Sequence, residues 1–227
     1  MDFDQHAEHY QAAVEKAAGI SVESLAGEKA RLILRLLAKR LGNPKRLRVL
    51  DVGGGIGLID REIESEVANL CAVDVSIKSL EFAIRRLSAT RLVHYDGKRL
   101  PFADASFDGV FASCVLHHVP PAIRTDFIAD MLRSLRDGGV AIVIEHNPLN
   151  PVTRHIVSRC VFDADAILLT CGETAKLLAA GGARHVGRHY FGFSPFRHTL
   201  VERAERALGW LPVGAQYCVW GIKNVAG

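Results

Sequence analysis

The stretch from Val49 to Gly57 reads VLDVGGGIG and decides how the rest of the chain is interpreted. An apolar run that ends in an acid and a valine is followed at once by glycines at positions 53, 54, 55 and 57. Because glycine carries no Cβ, such a loop lets the backbone come close to a ligand, and the N–H groups of a following helix can point at it. The stretch therefore predicts a buried strand, a ligand-binding turn and a helix, in that order.

The spacing of these glycines bears on which ligand the loop holds. A dinucleotide fold uses G-x-G-x-x-G, whereas this loop has G-x-G-x-G, and the charge of Asp51 would repel a pyrophosphate. A carboxylate at that point suits a ligand with an ammonium group and no phosphate. Asp74, at the end of the next apolar run, is placed to accept hydrogen bonds from ribose hydroxyls. An ammonium and a ribose without phosphates describe S-adenosylmethionine.

The order of the predicted elements indicates the fold class. Strand-like apolar runs alternate with segments of helical period, which is typical of a parallel sheet covered by helices on both faces. We predict an α/β fold with a doubly wound, Rossmann-like and mainly parallel sheet of about seven strands, whose last two strands form a reversed hairpin edge. The predicted strands are Arg48–Val52, Leu70–Val75, Leu92–Tyr95, Gly109–Ser113, Val140–Glu145, Arg184–Phe191 and Gln216–Lys223, and the predicted helices are Glu28–Leu41, Ile77–Leu87, Ile123–Leu135, one from Thr170 or Gly172 to Gly181-Gly182, and one near Leu200–Leu208.

Several short motifs, in their order and spacing, resemble the class I S-adenosylmethionine-dependent methyltransferases, the small bacterial type. They are Asp51–Gly57, Asp74, His94–Gly97 with Leu100–Phe102 and Ser106–Asp108, Val115–Val119, and Leu132–Gly139. The resemblance is strongest from Val49 to about Glu145. It implies one methyltransferase domain over residues 1–227, with an N-terminal helical cap at 1–45 and a substrate lid at 147–170, and S-adenosylmethionine as the cofactor.

The resemblance also implies which residues bind the cofactor. Asp74 would bind the ribose, Asp96 would meet the adenine amino group, and Tyr10 would cover the methionine end. The whole predicted set is Tyr10, Asp51, Gly53, Gly54, Gly55, Gly57, Asp74, Val75, Asp96, Gly97 and Ser113.

Candidate catalytic residues follow the fourth and fifth predicted strands. His117, His118 and His146 lie where parallel strands end, which is where ligands bind in such sheets, and histidine can deprotonate a hydroxyl near neutral pH. Packing or contact with the cofactor is the alternative role for each. Asp163 and Asp165 form no carboxylate cluster at the strand ends, so no metal is predicted.

Composition narrows the classes of partner and compartment. The net charge of +3 demands no polyanionic partner, and five cysteines without a CxxC pair argue against a disulfide framework. The acidic N-terminus is unlike a signal peptide, and no apolar run reaches the ~20 residues of a membrane span. We therefore expect a cytoplasmic protein with reduced thiols and no membrane span. The basic run 29–48 is interpreted as a solvated helix face, with an anionic partner as the alternative.

The function predicted from these observations is methyl transfer, with oxygen as the expected acceptor atom, on a small molecule or a lipid- or sugar-linked metabolite. An RNA methyltransferase is the first alternative, favoured by the basic run but not by any amino-methylation motif, so nucleic acid is not expected as a partner. A non-catalytic subunit that binds S-adenosylmethionine is the second alternative, and a nicotinamide-dependent reductase is a distant one. A homodimer is the expected assembly if the protein self-associates.

Overall fold

The computed structural model describes residue 4 and residues 10–19, 21–192 and 207–224. The helices among these residues are α1 (Tyr10–Ala18), α2 (Val22–Leu41), α3 (Leu58–Ile63), α4 (Ile77–Arg86), α5 (Arg124–Ser134), α6 (Pro151–Val157) and α7 (Cys171–Ala180). The strands are β1 (Arg48–Val52), β2 (Asn69–Asp74), β3 (Arg91–His94), β4 (Phe107–Ser113), β5 (Leu135–His146), β6 (Ala183–Phe191) and β7 (Gln216–Lys223). Short 3-10 helices lie at Pro44–Arg46, Pro121–Ile123 and Val161–Asp163.

The seven strands form one sheet in the order β3-β2-β1-β4-β5-β7-β6. The pairs from β3 through β5 are parallel, whereas β7 runs antiparallel to both β5 and β6. This confirms the doubly wound, Rossmann-like sheet and its reversed C-terminal edge. Among the strands that the structure describes, only β7 is reversed; it lies inside the sheet between β5 and β6 and is therefore flanked on both sides.

Alternate residues of the central strands supply two apolar layers. On β1, Leu50 and Val52 belong to the layer shared with α5 and α7, and Val49 belongs to the layer shared with α2 and α3. On β5 the same alternation separates Val143 from Ile144. Because both sheet faces are covered, these strands are buried throughout, which explains their continuous apolar sequences.

Most predicted elements are confirmed to within one or two residues. The predicted helix after position 169 begins where expected, because the Thr170 hydroxyl accepts a hydrogen bond from the Glu173 N–H and the Glu173 carboxylate accepts one from the Thr170 N–H. The segment after β5, in which no helix is predicted, contains α6. Its cap is Asn150, whose side chain accepts from the N–H groups of Val152 and Thr153. The helix predicted near 200–208 lies largely outside the described residues.

No helix among the described residues is long and apolar enough to cross a membrane. The cytoplasmic location expected from the sequence stays a prediction.

Candidate functional site

The glycine loop between β1 and α3 is held against β2 by its own backbone. The N–H groups of Gly53 and Gly54 donate to the Val73 carbonyl, and the Gly55 N–H donates to Asp74 Oδ2 at 2.8 Å. A Cβ on Gly53 would lie 2.4 Å from Val115 Cγ2, whereas a Cβ on Gly55 would meet nothing within 4 Å. Gly53 is thus required by packing, and Gly55 leaves open space in which a ligand can approach the backbone.

Asp51 lies beneath this loop and is almost fully buried, at 2% exposure. Its Oδ1 and both carboxylate oxygens of Asp60 have no hydrogen-bond partner among the described residues. Burial, together with Asp60 and Asp74, raises the pKa of Asp51 well above its ordinary value, and burial raises the pKa of Asp60 to about 7. Because Asp51 also lines the main cavity, its unpartnered oxygen is available to a cationic group of a ligand.

Asp74 and Asp96, the other two predicted cofactor acids, differ in placement. Asp74 is buried, lines the cavity and accepts from the N–H groups of Gly55 and Ser76, and each carboxylate oxygen can accept a further bond. Asp96 is exposed and faces Lys98, which donates to it from the backbone at 3.0 Å and lies within ion-pair distance at 3.5 Å. The structure therefore brings Asp74, but not the Asp96 carboxylate, to the cavity wall.

The remaining predicted cofactor residues mostly surround the same cavity. Those that line it are Gly53, Gly54, Gly55, Val75, Gly97 and Ser113. Gly57 instead caps α3 in the left-handed conformation and packs against Leu87. The side chain of Tyr10 lies outside the described residues. An orphaned carboxylate oxygen, an open glycine and a buried acid after β2 are together what a ligand with an ammonium group and a ribose requires.

The cavity continues from the glycine loop across the ends of β4 and β5 and has a volume of about 590 Å³. Its far wall is mainly apolar and includes Leu25, Ile123, Phe127, Ile156 and Phe162. Two of these residues belong to the predicted lid at 147–170, which is joined to the C-terminal strand region because the Asn147 side chain donates to the carbonyls of Pro212 and Gly214. This half of the cavity suits an apolar molecule.

Three hydrogen-bond donors converge on the sulfur of Cys114 in this wall. Lys29 Nζ lies 3.1 Å and Gln216 Nε2 3.5 Å from Sγ, and His146 also hydrogen-bonds to the thiol. Burial raises the pKa of the Cys114 thiol, but Lys29 and His146 outweigh it and lower the pKa to about 6. Burial lowers the pKa of His146, and the Cys114 thiolate more than reverses this, so the net shift is upward. Cys114 and His146 thus each favour the charged form of the other, the thiolate and the imidazolium.

His117, by contrast, is enclosed by carboxylates. Its Nδ1 hydrogen-bonds to Glu145, and its Nε2 lies 3.2 Å from Asp163 Oδ1. Burial lowers its pKa, but Glu145 and Asp163 outweigh this and raise the pKa to about 10. Since both ring nitrogens are engaged, His117 holds its neighbours in place and is not free to accept a proton from a ligand.

His118 packs beside His117 and reaches the cavity. Its Nε2 lies 3.6 Å from Asp163 Oδ1, and its Nδ1 lies 3.7 Å from Asp165 Oδ1. Burial and the charged His117 lower the pKa of His118 to about 4, so this imidazole is neutral. Sequence spacing alone does not predict that Asp163, 46 positions after His117, joins the two histidines.

Sequence reasoning missed four residues of this half of the site: Lys29, Cys114, Glu145 and Gln216. Lys29 belongs to the basic run that is interpreted as a solvated face, yet it points into the cavity. Arg40 of the same run stacks over the Trp220 ring at 3.8 Å. The signal that could have found Lys29 is its position on the turn of α2 that carries the buried Ala26 and Ala30.

A family model described as a methyltransferase domain matches residues 50–143 of this chain. A demethylmenaquinone methyltransferase of Parafrankia sp. is 36% identical over 212 residues, which cover 83% of this chain and 79% of that relative. A ubiquinone/menaquinone biosynthesis C-methyltransferase of Stutzerimonas stutzeri is 32% identical over 124 residues, which cover 51% of this chain and 46% of that relative. The matches thus span about half the length of several curated relatives and most of the length of one.

Among solved structures, a SAM-dependent methyltransferase from Thermotoga maritima, described as a possible histamine N-methyltransferase, has a TM-score of 0.69 at 18% identity. The superposition covers 98% of each chain. At this identity the likeness concerns the fold, including the reversed strand β7.

Proposed function

This chain belongs to the class I S-adenosylmethionine-dependent methyltransferases, and from that premise we propose that it methylates a ring carbon of a hydroxylated, quinol-type acceptor. The names of the relatives support carbon as the methylated atom, because one is a C-methyltransferase of quinone biosynthesis and the other a demethylmenaquinone methyltransferase. The proposal therefore replaces oxygen, the atom expected from the sequence, by carbon. The small-molecule class of the acceptor is kept.

One observation carries the proposal: Lys29, His146 and Gln216 converge on Cys114 in the wall of an otherwise apolar cavity. An apolar ring with a hydroxyl group fits such a wall, since the ring is buried against aliphatic and aromatic side chains and the hydroxyl meets the polar group. A ring carbon becomes strongly nucleophilic only when an adjacent hydroxyl loses its proton. The cluster provides both an acceptor for that proton and cations for the resulting oxyanion.

The chain's residues divide into those that hold the cofactor and those that prepare the acceptor. Asp51 would bind the ammonium group of S-adenosylmethionine, and Asp74 would bind its ribose. Gly55 would let the cofactor lie close to the backbone. When bound, this cofactor supplies an electrophilic methyl group. The lid residues Ile156 and Phe162 exclude water from the acceptor end of the cavity.

In the acceptor half, proton transfer is assigned to Cys114 and charge stabilisation to its neighbours. The thiolate of Cys114 accepts the hydroxyl proton of the acceptor. Methylation of the ring carbon also releases the proton bound to that carbon, which leaves to solvent so that the ring regains its aromaticity. Lys29 and His146, which contact the sulfur, would then face the oxyanion left behind. Donors fixed in advance around a developing negative charge stabilise it without reorganisation, which is worth ~2.7–4 kcal/mol per donor. Of the three histidines predicted as bases, His146 is the one that we place against the acceptor.

The test is a methylation assay with purified protein, S-adenosylmethionine and a short-chain prenylated 1,4-naphthoquinol that has a free ring position. We expect a product with one added methyl group. Fragmentation of that product should place the methyl group on the ring carbon. Cys114→Ala should lower kcat about 100-fold or more, as removal of a general base does, without altering S-adenosylhomocysteine binding.

Cys160→Ala is the matched control, because Cys160 is a second thiol in the cavity wall. Its pKa is raised to about 11, chiefly by burial. It should retain kcat within a few-fold. An O-methyl product would overturn the choice of carbon, and absence of any product from quinols, with cofactor binding intact, would overturn the acceptor class.

A further inference from the structure

We propose that His117, His118 and Asp163 bind one divalent transition-metal ion, with Zn²⁺ as the best-matched member of that class. The ligand atoms would be Nε2 of each histidine and Oδ1 of the aspartate. This reverses the expectation, based on scattered carboxylates in the sequence, that no metal is bound. It goes beyond the proposed methyl transfer and does not depend on the identity of the acceptor.

The spacing of the three ligand atoms is that of donors around one ion. Asp163 Oδ1 lies 3.2 Å from His117 Nε2 and 3.6 Å from His118 Nε2, and one ligand atom from each residue lies within 4.8 Å of the others. Two donors on a tetrahedral ion with bonds of ~2.0–2.1 Å are about 3.3 Å apart. Small side-chain movements therefore suffice to complete the coordination.

The outer nitrogen of the His117 ring is held by a carboxylate, and a second carboxylate lies near the outer nitrogen of the His118 ring. Glu145 accepts a hydrogen bond from His117 Nδ1, and Asp165 Oδ1 lies 3.7 Å from His118 Nδ1. A carboxylate on Nδ1 fixes the tautomer that leaves the Nε2 lone pair free, and raises the basicity of that nitrogen. The Nε2 atoms of both histidines lie near one oxygen of Asp163, at 3.2 and 3.6 Å, whereas the carboxylate of Asp165 is too far from His118 Nδ1 for a hydrogen bond.

The position of Glu145 makes this outer support rigid. Its Oε1 accepts from the N–H groups of Val115 and Leu116 at 3.0 and 2.7 Å, and its Oε2 faces His117. Glu145 is 1% exposed, so its carboxylate cannot turn to solvent. The imidazole of His117 is thereby held in one orientation before any ion arrives.

The donor types indicate the class of ion. Imidazole nitrogens with a single carboxylate suit Zn²⁺, Fe²⁺ or Co²⁺, whereas Mg²⁺ and Ca²⁺ prefer oxygen ligands throughout. His118 and Asp163 line the main cavity, so the remaining coordination positions face it and can hold water. An ion here would also join the end of β4 to the lid, because Asp163 ends the short 3-10 helix Val161–Asp163.

The competing description has no ion. His117 would then carry protons on both nitrogens and share them with Glu145 and Asp163 as ordinary hydrogen bonds. The two descriptions differ in what binds Nε2, and metal titration separates them.

The experiment uses the full chain after treatment with a chelator and adds Co²⁺, a spectroscopic substitute for Zn²⁺. We expect visible d–d absorption that saturates at one Co²⁺ per chain and disappears when Zn²⁺ is added. His118→Ala and Asp163→Asn should abolish the saturable absorption, and Glu145→Gln should weaken binding about 10- to 100-fold. Bound S-adenosylhomocysteine and circular dichroism verify that each variant is folded.

His155→Ala is the matched control, since His155 is an exposed imidazole of α6 in the same lid segment. It should bind Co²⁺ as the unaltered chain does. Folded protein that takes up neither Co²⁺ nor Zn²⁺, or uptake that persists in both His118→Ala and Asp163→Asn, would overturn the metal site. Either result leaves the proposed methyl transfer standing, because metal uptake requires neither methyl donor nor acceptor.

Discussion

The two halves of the cavity lie along one edge of one sheet but are built in different ways. The cofactor half consists of the glycine loop after β1 and the acid after β2, in one stretch of sequence from Asp51 to Val75. The acceptor half takes Lys29 from α2, Cys114 after β4, His146 from β5 and Gln216 from β7. Its members are far apart in sequence and meet only because the strand order brings β4, β5 and β7 side by side. A local motif fixes the first half, and topology fixes the second.

The two halves also differ in the sign of the charged groups that they bring together. The proposed cofactor half buries two carboxylates, Asp51 and Asp60, with oxygens that lack hydrogen-bond partners among the described residues, and such a site suits a cationic ligand. The acceptor half gathers cationic donors around a thiolate and so is prepared for an oxyanion. Substitutions that separate binding from turnover test whether the halves act independently.

The largest effect is expected at Lys29 in the acceptor half. Lys29→Met removes one cation beside the acceptor oxygen, so kcat should fall about 100- to 1,000-fold while cofactor affinity stays within about two-fold. Steady-state kinetics and calorimetric titration with S-adenosylhomocysteine measure the two quantities. Lys39→Met, an exposed position on the same helix, should change neither. Equal losses of cofactor affinity and kcat in Lys29→Met would show that the two halves do not act independently.

Asp51→Asn should have the next largest effect and the opposite signature. Loss of the buried carboxylate should weaken S-adenosylmethionine binding about 30- to 100-fold, ~2–3 kcal/mol, because a fully buried charge partner is lost. Asp96→Asn is the comparison, since the Asp96 carboxylate is exposed and paired with Lys98. We expect that variant to keep its affinity within a few-fold in the same titration. If both variants lose affinity equally, the Asp96 side chain must turn inward on binding.

The pH dependence of stability should report the buried acids of the cofactor half. Burial raises the pKa of Asp60 to about 7, so the folded protein holds a proton there that the unfolded chain has already released. The contribution of this group to the free energy of unfolding is therefore present at low pH. It is lost as pH rises from about 4 to 7, by at most ~1.4 kcal/mol per pH unit. Asp60→Asn cannot ionise and should lack this decline.

Urea unfolding of both proteins at several pH values measures that difference. The stability gap between Asp60→Asn and the unaltered protein should grow up to about pH 7 and then level off, since the carboxyl is fully ionised above its folded pKa. Parallel curves over the whole range would show that Asp60 is ionised when folded.

The smallest effect is expected at Thr170, which lies outside both halves. Thr170→Ala removes the capping box of α7 and should cost ~1 kcal/mol of unfolding free energy. Thermal unfolding measures this cost, and methyl transfer should be unchanged. A loss of turnover in this variant would mean that α7 influences the acceptor half through β7.

The residues of the proposed cofactor half could be selected from the sequence because their constraints are local. Glycines at 53 and 55 and acids at 51 and 74 each follow from a strand, a turn and a ligand without phosphates. The acceptor half is not predicted in the same way. Nothing in the spacing of Lys29, Cys114 and Gln216 indicates contact, and each has an ordinary local interpretation as a surface or core residue. Only the register of the sheet makes them neighbours.

His117 shows a second limit of prediction. The sequence places it correctly at the strand ends, but its role depends on Glu145 and Asp163, which close on its two nitrogens. Glu145 comes from the adjacent strand, whose identity as a neighbour requires the strand order. Asp163 comes from the lid, whose path depends on the contacts of Asn147 and Asn150 with residues 212–214.

The inner position of β7 affects the order in which the parts of the site are completed during synthesis on the ribosome. Gln216 and the backbone that anchors the lid follow the glycine loop by about 160 residues, which takes roughly 8 to 30 s at ordinary rates of synthesis. A nascent chain that has passed β3 already contains the whole cofactor loop. At that stage neither β5, nor β7 that flanks it, nor the residues that anchor the predicted lid have been synthesised. The residues of the proposed cofactor half are thus made before those that complete the proposed acceptor half, and β7 decides when the two are joined.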